Sequence, residues 1–86
     1  MASTRDRAIH PGLYLGEEIE ARGMTQSEIA RRMERSVQVI NEVVCGHEAI
    51  SNETALGLQR VLGTPASVWL NLQSMYDLAR VRLDSD

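Results

Sequence analysis

The stretch TQSEIARRMERSVQVINEVVCG, Thr25 to Gly46, decides how this chain is read. Thr25 and Glu28 form the T-x-x-E pattern of a capping box, in which hydroxyl and carboxylate each take an orphan amide of a helix's first turn. Ile29, Ala30 and Met33 then share one face, which predicts a helix to about Met33. Glu34 to Ser36 reads as a turn. Ser36 caps a following helix whose Ile40, Val43 and Val44 fall at i, i+3 and i+4, and Gly46 ends it. Two short helices held at a fixed angle are what a helix-turn-helix needs, so that the second enters the major groove while the first crosses above the backbone. Ala30 is then the small residue at the crossing and Ile40 the apolar anchor. The same spacing also serves two helices packed in any bundle.

Working outward, the punctuation predicts five helices and no strands. Pro11 suits a first helical position, and Leu13, Leu15 and Ile19 recur before Gly23, a left-handed stop. Ser51 caps a fourth helix with Ala55, Leu58 and Leu62 on one face, closed by Gly63. Thr64-Pro65 repeats the cap-then-proline signal. A last helix carries Trp69, Leu72, Tyr76, Ala79 and Leu83 at steps of three or four, with Val68, Met75 and Leu78 widening the stripe. The organisation expected is an N-terminal arm over 1–8, one helical domain over 9–83 and a short tail over 84–86.

At 86 residues the chain supports one modest core. Its 43% apolar and 24% charged content is globular rather than disordered. The net charge of -3 argues against wholesale attraction to nucleic acid, but the charges are unevenly placed. All nine basic residues are arginine. Arg22, Arg31, Arg32 and Arg35 outnumber Glu28 and Glu34 between 22 and 35, whereas 36–57 carries Glu42, Glu48 and Glu53 and no Arg or Lys. The N-terminus has no apolar run like a signal peptide, and no stretch of about 18 apolar residues occurs, so a soluble cytoplasmic chain without membrane contact is expected.

Cys45 is the single cysteine, which rules out an internal disulfide. With His47 it invites a metal reading, but a structural zinc site wants four ligands and only His10 and carboxylates remain. A catalytic thiol needs a base and an orienting group, and nothing nominates them. His10 is more simply a residue that orders the chain before Pro11. No metal, cofactor or enzymatic activity is expected.

IHPGLYLGEEIEARGMTQSEIARRM (9–33), ISNETALGLQRVLGTPASVWLNLQSMYDLA (50–79) and the helix-turn-helix between them resemble the HigA-type antitoxins, also called VapI-type, of the Xre or phage-repressor superfamily. The most specific pieces are IHPG (9–12) and WLNLQ (69–73). The resemblance implies an all-α, five-helix lambda-repressor-like fold. It implies a homodimer that binds an operator in double-stranded DNA and represses its own operon, and a cognate toxin of the RelE- or HigB-like mRNA-cleaving ribonuclease class. The family pattern puts phosphate contacts at Gln26 and Ser27, at the start of the second helix. It puts base-edge readers at Ser36, Val37, Gln38, Val39 and Asn41. Gln38 and Asn41 are able to pair with adenine, and Val37 and Val39 to pack on thymine methyls, which points to an A·T-containing half-site.

The chain departs from the pattern in three places. Glu34 stands where the turn usually has Gly, at a cost of about 1–2 kcal/mol if the residue is left-handed; a reshaped turn is the alternative. Asn-Gly after the third helix becomes Cys45-Gly46, and the basic residues that follow become His47 and Glu48, which removes phosphate contacts. Arg31, Arg32 and Arg35 either replace those contacts or, for Arg31 and Arg32, form a solvated face. Arg5 and Arg7 either follow the groove or do nothing. Trp69 is expected in the core, and Met75, Leu78 and Val81 at a dimer seam. Two other functions fit the same residues: a stand-alone repressor without a toxin, and a protein-interaction module that has lost DNA binding.

Overall fold

A computed structural model describes residues 8–85; residues 1–7, with Arg5 and Arg7 of the expected arm, and Asp86 lie outside the described residues. Five helices follow in order: α1 Pro11–Ala21, α2 Gln26–Met33, α3 Val37–Val44, α4 Asn52–Leu62 and α5 Ala66–Ser85. The described residues contain no strand. The caps explain these limits. Pro11 opens α1 behind His10, whose Nδ1 accepts from the Gly12 amide at 2.8 Å. Thr25 and Glu28 complete both halves of the capping box on α2. Ser36 and Ser51 accept from the Val39 and Thr54 amides to start α3 and α4.

The ends of α1 and α3 share one device. After α1 the Met24 amide reaches the Ile19 carbonyl and the Gly23 amide that of Glu20, with Gly23 at φ 65°. After α3 the His47 amide reaches Glu42 and the Gly46 amide Val43, with Gly46 at φ 82°. This is the Schellman stop, which satisfies two orphan carbonyls around one left-handed residue.

The core gathers Leu15 and Ile19 from α1, Ile29, Ala30 and Met33 from α2, Ile40 and Val43 from α3, Ala55, Leu58 and Leu62 from α4, and Trp69 from α5. α2 packs on α3 and α4, α1 on α3 and α5, and α4 on α5. α1 meets α3 closely: a Cβ on Gly12 would fall on the Val43 carbonyl oxygen. This glycine is required by close backbone approach rather than by a turn.

Three details differ from the sequence reading. α5 begins at Ala66, one residue after Pro65, and its first amide is capped by Gln59 of α4 at 2.7 Å rather than by Thr64. Leu83, expected on the inward stripe, is 49% exposed because α5 outruns the domain; between Asp77 and Asp84 only Ala79 is partly covered. α5 also continues to Ser85, past the expected limit at 83. Conversely, Ile50 is buried although it lies between helices. Its amide donates to Gln73 Oε1 at 2.8 Å, and Gln73 Nε2 donates to Asp77 Oδ1 at 3.0 Å. Gln73 lies one turn after the buried Trp69, so a polar residue on an inward stripe was the available signal.

Candidate nucleic-acid interface

α2, the turn and α3 form one unit. Glu34 adopts φ 56° and ψ 41°, the left-handed region. Its amide bonds the Arg31 carbonyl, and the Arg35 amide bonds that of Ala30 at 2.9 Å. α2 therefore ends in the same stop as α1 and α3, but on a residue with a Cβ. The turn keeps its shape and carries the strain.

α3 is two-faced. Ile40 and Val43 are fully buried and hold it to the core, whereas Val37 is 47% exposed and Gln38 and Asn41 are exposed beside it. Of the five expected base readers, these three share the solvent face. Val39 is half-buried, and the Ser36 hydroxyl oxygen accepts from the Val39 amide at 3.2 Å, so it caps the helix it begins. The two carboxamides have partners. Asn41 Nδ2 donates to Gln26 Oε1 at 3.1 Å across the α2–α3 contact, and Gln38 Nε2 reaches Glu42 Oε1 at 3.5 Å.

On α2 the capping box uses the amides of Thr25 and Glu28, which leaves those of Gln26 and Ser27 at the positive end of the helix. Gln26 is half-buried and Ser27 exposed. Arg31 and Arg32 are exposed in the last turn of α2. Arg35 behaves differently: its Nη2 donates to Glu53 Oε2 of α4 at 2.6 Å. No local pattern announces that pair, because its members lie far apart in sequence.

The far end of α3 exposes Cys45, His47 and Glu48. Beneath it, the His10 ring lies edge-on to Tyr76 of α5 at 4.8 Å between centroids. Burial pushes the His10 imidazole below its usual value of 6.5, against the opposing effects of a hydrogen bond to the Glu48 backbone and the charge of Asp77. Among the described residues no group of three or more His, Cys, Asp or Glu is placed to hold a metal ion. No helix among them is long and apolar enough to cross a membrane. On α5, Met75, Leu78 and Val81 are 67%, 51% and 62% exposed.

This geometry defines a five-helix protein of the helix-turn-helix class. No family model matches the chain, but individual proteins do. It is 40% identical over 78 residues to virulence-associated protein I of Dichelobacter nodosus, covering 90% of this chain and 72% of that protein. An addiction-module antidote protein of the HigA family from Coxiella burnetii superposes with a TM-score of 0.87 at 32% identity, over 92% of this chain and 87% of that one. Antitoxin HigA of Pseudomonas aeruginosa, solved with the higBA promoter, superposes with a TM-score of 0.86 at 34% identity, over 91% and 86%. The chain belongs to the HigA/VapI-type antitoxins of the Xre helix-turn-helix superfamily. That family is non-enzymatic, so the chemistry of this chain is that of binding.

Proposed function

We propose that the protein is a cytoplasmic antitoxin that binds its own operator as a homodimer, represses its operon and neutralises a RelE- or HigB-like mRNA-cleaving toxin. The observation that carries the DNA reading is the presentation of Val37, Gln38 and Asn41 on the solvent face of a helix whose other face is locked in the core. The similarity to an antitoxin solved with its promoter supports it. Gln38 and Asn41 read adenine, and Val37 packs on a thymine methyl. Ser36 and Val39 set the start of α3 and approach the base edges from its rim. Gln26 and Ser27 offer amides to a phosphate, and Arg31, Arg32 and Arg35 hold the backbone beside them.

Repression by a dimer needs two copies of α3 about one DNA turn apart. The exposed Met75, Leu78 and Val81 of α5, the last two on its outrunning part, form the seam that pairs them. The acidic balance of the remaining surface then favours a basic toxin.

Fluorescence anisotropy on the gene's own promoter, with the dimer established by sedimentation, tests the DNA reading. Binding that weakens steeply with salt is expected, and A·T to G·C changes in the half-site should weaken it. A dimer that fails to bind at low salt would instead make this a protein-interaction module. Co-expression with the product of the adjacent reading frame tests the second role. A complex that abolishes mRNA cleavage is expected, and the lack of any complex would reduce the protein to a stand-alone repressor.

A further inference from the structure

The turn between α2 and α3 puts Arg35 at the edge of the proposed DNA face, yet its charge is already answered inside the chain. Nη2 donates to Glu53 Oε2 at 2.6 Å, in the first turn of α4. The pair is lopsided: the Arg35 side chain is 32% exposed and that of Glu53 80%. Neighbouring Arg31 and Arg32 are exposed and, among the described residues, make no ion pair. Glu53 has a second source of stabilisation, because a carboxylate at the start of α4 faces the positive end of that helix.

We propose that Glu53 competes with a DNA phosphate for Arg35, so that an intramolecular ion pair limits operator affinity. This rests on the DNA-binding reading above. A phosphate that takes Arg35 must displace the carboxylate, which is then left as an unpaired, exposed anion close to the backbone. If the phosphate fails to take it, the subunit binds with one contact fewer. In both cases the wild-type chain binds more weakly than its arginines would allow.

Glu53→Gln keeps the side-chain size and an acceptor oxygen but removes the charge. One released phosphate contact steepens the logarithmic salt dependence by about 0.9 per subunit. Loss of a nearby negative charge would also tighten binding, but independently of Arg35. A double-mutant cycle separates the two effects.

Operator binding is measured for wild type, Glu53→Gln, Arg35→Ala and the double variant from about 50 to about 200 mM salt. All four should show unchanged helical circular dichroism, since the pair lies at the surface. Glu53→Gln is expected to bind about three- to tenfold tighter per subunit at the lowest salt. Its advantage should shrink about three- to fourfold per subunit across the range, and should nearly vanish in the Arg35→Ala background. Equal gains in both backgrounds would reduce Glu53 to a bulk charge and overturn the competition, as would weaker binding by Glu53→Gln, which would make the carboxylate a support for Arg35. Wild type that ignores its promoter at low salt would remove the DNA-binding reading and this inference together. Wild-type binding with an indifferent Glu53→Gln would remove this inference alone.

Discussion

Replacing Glu34 by glycine should make the protein more stable, although the change deletes a whole side chain. Glu34 occupies the left-handed position of a Schellman stop at φ 56°, where α1 and α3 use Gly23 and Gly46. A Cβ in that region costs about 1–2 kcal/mol. Glycine also loosens the unfolded chain, which offsets about 0.4–1 kcal/mol. The net gain is about 0.5–1 kcal/mol, or a rise in Tm of about 2–8 °C for a domain of this size. Glu34 is exposed, so no packing is lost. Its carboxylate does lie at the negative end of α2, and removing it helps by a few tenths of a kcal/mol on its own. Glu34→Ala removes that charge while keeping the Cβ, so the quantity to compare is Glu34→Gly against Glu34→Ala in urea and thermal unfolding. If alanine stabilises as much as glycine, the backbone argument is wrong and only charge was at stake.

Two other glycines should respond unequally to alanine: Gly12→Ala drives a methyl into the Val43 carbonyl and should cost about 2–3 kcal/mol. Gly57→Ala meets the flexible Met33 Cε at 2.8 Å and gains helix propensity, so urea midpoints should place it within about 1 kcal/mol of wild type. Because burial holds His10 below 6.5 in the folded chain, the unfolded chain binds more protons just under that pH. The His10 contribution is therefore complete above pH 6.5 and is lost as pH falls through the lowered folded value; His10→Asn, which still caps but does not titrate, should flatten this part of a Tm-against-pH curve. Gln38→Ala should lose about 1–3 kcal/mol on the operator and much less on random DNA in parallel titrations, and equal losses would show that Gln38 does not specify sequence.

What the sequence revealed and what it hid divide along physical lines. The capping box at Thr25 and Glu28, the serine caps at Ser36 and Ser51, and the glycine stops at 23, 46 and 63 act within a few residues, so local pattern exposes them. Inward stripes on α2 and α4 were equally legible because one face of each helix meets the core. Contacts between distant residues left no such trace. Arg35 with Glu53, Gln26 with Asn41 and Gln73 with the Ile50 amide depend on how helices cross. Leu83 misled because periodicity continues along a helix after the core beneath it has ended. The positions proposed to read bases came from family resemblance, and the structure adds which of them share a face.

The bond between Asn41 and Gln26 has a consequence for how such a repressor changes its target. On the proposed DNA-binding reading, Val37 is exposed and Gln38 is held only by a long 3.5 Å contact to Glu42, so an operator drifting at the bases they read can be followed by single substitutions. Asn41 is coupled to Gln26 on the preceding helix, which is proposed to offer its amide to a phosphate. A new side chain at 41 leaves Gln26 without its donor, and a new one at 26 releases the Asn41 amide from its set orientation. Paralogues in one cell should therefore diverge quickly at 37 and 38, and at 26 and 41 only as a matched pair.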